Sequence, residues 1–196
     1  AIRIAAVKYG GGGDWYQAQT PLPSFLSFVR EHTLIDIAPE ADVVELASEN
    51  LFTYPFIVLS GHGNISLTSR EVEYLRTYLE RGGFLYIDDD YGLDPYIRRE
   101  LGRVLPDHEL VELPFSHPIF SQQFNFPGGL PKIHEHDDEP PQGFGVFIDD
   151  RLAVFYTYET NLTDGWEPAE VHGNPEAVRQ RALEMGTNIL QYALTH

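Results

Sequence analysis

The 196-residue sequence predicts a single α/β domain, a three-layer sandwich with helices on both faces of a mostly parallel sheet. Apolar runs of strand length alternate with stretches of helical periodicity. Several of those runs stop at glycine or aspartate, as strands do where an open α/β sheet presents its ligand-binding edge. At 22.2 kDa the chain is long enough for one well-buried core, so residues 1–196 are read as one domain.

The elements follow in order. Ile2 to Val7 is apolar and rich in β-branched residues, a buried first strand that runs into Gly10-Gly11-Gly12-Gly13-Asp14-Trp15-Tyr16. Pro21 and Pro23 suit a helix start, with Leu22, Phe25, Leu26 and Val29 at helical spacing. Short strands are expected near Leu34–Ile37 and Val43–Leu46, then a longer one through Phe56-Ile57-Val58-Leu59 into Ser60-Gly61-His62-Gly63. Thr68 and Glu71 form a capping-box pattern ahead of Val72, Leu75 and Leu79 on one helical face. Gly82-Gly83 stops that helix, and Phe84-Leu85-Tyr86-Ile87 returns as a strand ending in Asp88-Asp89-Asp90. A helix opening at Asp94-Pro95 and a strand over Glu109–Leu113 come next. Residues 114–143 hold six prolines and several glycines, an irregular excursion of a length that is often functional. Gly145–Ile148 and Leu152–Tyr158 flank Asp149-Asp150-Arg151 as a hairpin. Asn174-Pro175 then opens a terminal helix carrying Val178, Ala182, Met185, Ile189 and Leu190.

Charge excludes several classes of function. Thirteen basic against 30 acidic side chains leave a net charge of −17, and protonating all eight histidines still leaves −9. Nucleic acid is therefore not an expected partner, and anionic membrane surfaces are disfavoured. The absence of cysteine removes disulfides, thiolate nucleophiles and cysteine-ligated metals. No apolar run approaches the ~18–20 residues of a membrane span, so no transmembrane segment is expected. The acidity is also uneven. Residues 107–176 carry 14 acidic and 2 basic side chains, a net of −12, which leaves −5 for everything else. That carboxylate-rich, histidine-bearing flank suits cations or a basic partner.

Tyr9 through Tyr16 (YGGGGDWY), Tyr54 through Gly63 (YPFIVLSGHG), Gly82-Gly83-Phe84 with Asp88-Asp89, Ser116-His117-Pro118-Ile119 and the ending Gly186 to Thr195 together resemble the bacterial domain of unknown function 4159 family. The resemblance covers nearly the whole chain. It implies a flavodoxin-like fold of the class I glutamine amidotransferase-like type and a cell-envelope setting, periplasmic or extracellular, with the cytoplasm as the alternative. It implies no biochemical activity. A fainter similarity is to the trehalose-utilisation-type branch of that fold, where a helix–Gly-Gly–strand unit also precedes a His-Pro-Ile segment. In the amidotransferases the strand after such a turn delivers a nucleophilic cysteine. Asp88-Asp89-Asp90 stand at the comparable position here, so glutamine hydrolysis through a thioester is excluded.

Candidate ligand-binding residues lie at the expected strand ends. Gly12 and Gly13 offer backbone N–H groups, or simply a flexible turn that folds Asp14, Trp15 and Tyr16 over the sheet edge. Trp15 and Tyr16 have the amphipathic faces of a carbohydrate platform, and packing on the next helix is the plainer use of them. His62 sits between glycines at a strand end. Asp88, Asp89 and Asp90 repel one another unless a cation is near, and Asp90 also suits a helix N-cap. His117 lies in the excursion. His134, His136 and Asp137 form a metal-ligand candidate, since an extended His134-Glu135-His136 puts both imidazoles on one face. A solvated acidic loop with incidental histidines is the plainer reading. The expected function is a non-catalytic domain of the envelope that binds a small ligand or a protein partner. The alternatives are a metal-dependent hydrolase with a divalent ion as cofactor, and a carbohydrate-binding protein.

Overall fold

The structure, a computed structural model, describes all residues from Ala1 to His196. Seven strands form one sheet: β1 (Ala5–Lys8), β2 (Asp42–Glu45), β3 (Phe56–His62), β4 (Phe84–Tyr91), β5 (Val111–Glu112), β6 (Gln142–Ile148) and β7 (Arg151–Tyr158). Their order across the sheet is β2-β1-β3-β4-β7-β6-β5. The pairings β1–β2, β1–β3, β3–β4 and β4–β7 are parallel, and only β6 with its two neighbours is antiparallel. The carboxyl ends of β1, β3, β4 and β7 therefore share one edge.

The strands are apolar on both faces because helices cover both. On the first face α1 (Leu22–His32) and α5 (Glu176–Thr195) pack Phe25, Val29, Met185 and Ile189 against Ile4, Phe56, Val58, Tyr86 and Phe155. On the second, α2 (Ser69–Glu80) and α3 (Asp94–Val104) pack Val72, Leu75, Leu79, Ile97 and Leu101 against Val7, Ile57, Leu59, Ile87 and Val154. Each such side chain contributes about 1.5–3 kcal/mol when it leaves water. A one-turn helix, α4 (Ala169–His172), precedes α5.

The capping box of α2 is formed in both directions, Glu71 N to Thr68 Oγ1 at 3.1 Å and Thr68 N to Glu71 Oε1 at 2.9 Å. The hairpin is present too, and Asp149 and Asp150 both adopt the left-handed conformation its tight turn demands. Three expectations are corrected. Leu34–Ile37 is not a strand: only Ile37 bridges, to Ile2, and Leu34 stands in water. The strand expected to end in Asp88-Asp89-Asp90 runs on to Tyr91, and all three aspartates lie within β4 and are buried. Nor does Asp90 cap α3, whose Ncap Leu93 has no side-chain cap; the carboxylate of Asp89 accepts the Leu93 N–H at 3.0 Å instead.

Candidate functional site

The polar groups of the molecule gather at the shared carboxyl edge, and the glycine motif explains one side of it. The loop at 10–13 lies flat against 62–66, with Gly13 N donating to Asn64 O at 2.8 Å and Ser66 N to Gly10 O at 2.9 Å. A Cβ at Gly13 would stand 2.5 Å from Asn64 O, and one at Gly61 would stand 2.1 Å from the Tyr9 hydroxyl. Only glycine permits that approach. Its product is a fixed Asp14–His62 pair: the Asp14 carboxylate accepts the His62 backbone N–H and lies 3.0 Å from Nδ1. The ring is half-exposed, and Nδ1 is its hydrogen-bonded nitrogen. The opposite flank of the loop is pinned by α3, where buried Glu100 accepts from Leu67 N and Arg103, while Arg99 donates to Ile65 O at 2.7 Å. Trp15 is partly buried under Lys8 and Tyr16 is exposed. Gly12 is exposed and touches nothing that a Cβ would meet.

Strand β4 forms the floor. Alternation turns Asp88 and Asp90 to the face of Tyr86, and Asp89 to the face of Ile87. Asp88 is saturated by Thr157 Oγ1 (2.7 Å), Thr163 N (2.8 Å), Thr163 Oγ1 (2.7 Å) and Leu162 N (3.3 Å). Asp90 is equally buried, yet it receives a single long contact from Thr163 Oγ1 at 3.3 Å, and its Oδ2 has no partner. Burial, and the charges of Asp88, Asp164 and Asp14, raise its pKa well above the carboxylate range. Burial also lifts Asp88 to about 7 and Asp89 to about 6.

The third part comes from the segment after β7. Trp166 anchors it, stacked on Phe25 at 4.1 Å and donating from Nε1 to Ala182 O at 2.8 Å. Glu159 and Asn161 take left-handed backbone angles, φ 62° and 54°, a strain found where side chains must be aimed. The result brings Asp164, His134 and His172 together: Oδ2 of Asp164 lies 3.2 Å from His134 Nδ1, and Oδ1 lies 3.6 Å from His172 Nε2. Glu167 stands 3.1 Å from the same His172 nitrogen.

The sequence candidates are thus distributed unevenly. Asp14, His62, Asp88, Asp90 and His134 meet at the edge. His136 lies beside the site, its ring 4.6 Å from Tyr91 and its Nε2 2.9 Å from Asn161 Nδ2. Asp137 turns away to accept the Tyr91 hydroxyl at 3.2 Å. His117 is elsewhere, packed on Tyr192 and on Phe147, whose pairing with Leu152 places it at the opposite edge of the sheet. His62, Asp89 and His117 therefore do not converge on one pocket. Asp164, Glu167 and His172 escape sequence reading because they sit apart from any recognisable motif; the one signal is the acidic excess of residues 107–176.

With this geometry established, the relationship to known proteins is clear at one level. The sequence profile of the domain of unknown function DUF4159 matches residues 3–194. The chain belongs to that family. No curated protein matches it. For this DUF4159 domain, function must therefore be argued from the edge itself, and what the edge can do is hold positive charge. No Lys or Arg pairs with Asp14, Asp88, Asp90 or Asp164, and Lys132 is engaged by Glu135 and Glu159. Cavities of about 320 and 370 Å³ lie away from it, one beside Tyr78 and Gly83, one beside Leu22 and Val43, while one of about 400 Å³ opens at the ends of β1 and β2 beside Lys8, Tyr9, Gly10 and Glu45. Asp90, Asp164, His134 and His172 line none of these three, and their cluster is scaled to an ion or a small charged group. No helix is long and apolar enough to cross a membrane.

Proposed function

We propose that this protein is a ligand-binding domain that recognises a cation at the carboxyl edge of its sheet. The observation that carries the proposal is Asp90, a carboxyl buried with an unpartnered oxygen and surrounded by Asp88, Asp14 and Asp164. Burial beside three other carboxyls disfavours its ionised form, and a bound cation would supply the missing partner and favour that form. Thermal unfolding in Mg²⁺, Ca²⁺, Mn²⁺, Zn²⁺ or spermidine at constant ionic strength tests it. At least one of these probes raises Tm, and an Asp90→Asn/Asp164→Asn variant abolishes the rise. The proposal falls if none does, or if the variant responds like the wild type.

A second reading, metal-dependent hydrolysis, is favoured by the Asp14–His62 contact, because a carboxylate that orients Nδ1 leaves Nε2 free as a general base. Turnover of a p-nitrophenyl ester in Mn²⁺ that His62→Ala removes would favour it over pure binding. We also infer that the sheet is of the class I glutamine amidotransferase-like type, on the support of five parallel strands covered on both faces. Placement in the bacterial envelope is part of the same proposal, drawn from the family resemblance, and fractionation of the native host tests it.

A further inference from the structure

We propose that His134, Asp164 and His172 form a centre for a divalent transition metal, zinc or a close analogue. This rests on the cation-binding reading above and names its ligand. One ligand atom from each of the three residues lies within 4.8 Å of the others. Around a tetrahedral zinc with bonds of about 2.0–2.1 Å, neighbouring ligand atoms stand about 3.3 Å apart. Asp164 faces each histidine near that spacing but through different oxygens, Oδ2 standing 3.2 Å from His134 Nδ1 and Oδ1 3.6 Å from His172 Nε2. Closing the site requires one Asp164 oxygen and the two imidazole nitrogens, within 4.8 Å of one another, to draw together by side-chain rotation.

The surroundings fit a metal centre as well. If His134 coordinates through Nδ1, its Nε2 carries the proton and faces Asn174 Oδ1 at 3.3 Å. That outer contact fixes tautomer and ring orientation, as metal-binding histidines generally require. The amide nitrogen of Asn161 donates to Asp164 Oδ2 at 3.1 Å and also faces His136 Nε2 at 2.9 Å and His134 Nδ1 at 3.4 Å. Without an ion, the contact of His134 Nδ1 with the Asp164 carboxylate needs a hydrogen on that nitrogen, and a bound metal takes the place of that hydrogen between the two. His134 and His172 are each about a quarter exposed, which leaves an entry route, while Asp164 is nearly buried. Imidazole nitrogen with one carboxylate selects zinc, manganese, iron or nickel over magnesium or calcium. Three protein ligands leave a fourth position for water or a ligand group.

The centre differs from the local chelate of His134, His136 and Asp137 that the sequence suggests, and the difference is measurable. Chelator-treated protein is titrated calorimetrically with zinc chloride at pH 7.5. The expected result is one ion per chain, with His172→Ala and His134→Ala each weakening binding by more than about 100-fold, beyond the 10–100-fold of an outer-shell partner such as Asn174→Ala. Asp137→Ala should leave the affinity within about threefold, by the same scale. Should a histidine variant fail to fold, ring NMR of the wild type decides: zinc must shift the His134 and His172 signals and leave His62 and His117 in place. Binding that survives His172→Ala but is lost in Asp137→Ala overturns the assignment. So does calcium or spermidine acting through Asp90 while zinc leaves both rings untouched, an outcome that spares the broader cation reading. If no cation binds at all, both fall.

Discussion

The two sides of the carboxyl edge are built by different means. On the β1–β3 side, backbone meets backbone: the glycine loop lies on 62–66 and sets Asp14 against the backbone N–H and Nδ1 of His62. On the β7 side, His134, Asp164 and His172 arrive from a loop, a 3-10 turn (Leu162–Trp166) and the last residue of α4, and meet only through side chains. Between them lies β4, with one saturated carboxyl and one unsatisfied. The contrast implies that the first side is structural as well as chemical, whereas the second holds residues that are cheap to change in the free protein and expensive to change in the cation-bound one.

Substitutions on the close-packed side should therefore cost most. Gly61→Val places branched carbon against the Tyr9 hydroxyl and Asp14 at a φ of 152°, and should destabilise by about 3 kcal/mol or more in urea unfolding. On the floor, Asp88→Ala strands the donors of Thr157, Thr163 and Leu162 and should cost about 3 kcal/mol. Asp90→Asn loses no good hydrogen bond and should be neutral or stabilising without a cation. Equal losses for the two would break the comparison.

A pH series sharpens it next. Asp89 is raised by burial to about 6, so between the unfolded value near 3.8 and that figure the native state binds the extra proton. Stability from this group is full below about pH 4 and is lost as pH climbs through 6. Asp89→Asn keeps an acceptor for Leu93 and removes the titration. It should flatten the fall in stability between pH 4 and pH 8 by about 2 kcal/mol. A parallel pH curve for the two proteins would contradict the burial account. The smallest effects belong to the histidine side: His134→Ala and His172→Ala should each change metal-free stability by no more than about 0.5 kcal/mol. A loss of several kcal/mol there would mean that this side, too, is structural.

The same contrast governs what was legible from sequence. The helix over Ser69–Glu80 could be read because its capping box and apolar spacing are local, and the glycine loop because no other residue type suits such contacts. Asp88, Asp89 and Asp90 were visible as a cluster, but their burial was not. A run of three carboxylates signals a wet turn unless Thr157, Thr163 and Leu162 are known to cover it. Nothing in the sequence marks Asn161-Leu162-Thr163, yet Thr163 completes the shell of Asp88 and Asn161 faces His134 and His136. His134 and His172 are 38 positions apart with no spacing rule between them. Only the tertiary anchoring of Trp166 brings Asp164 to both.

The central claim is that the carboxyl edge is short of one positive charge. Its most direct test is the thermal stability of chelator-treated protein at pH 7.5 with and without each cation, against the Asp90→Asn/Asp164→Asn variant. The account predicts a rise in Tm with zinc that the variant does not show. A wild-type Tm indifferent to every cation, or a rise the variant shares, would contradict it.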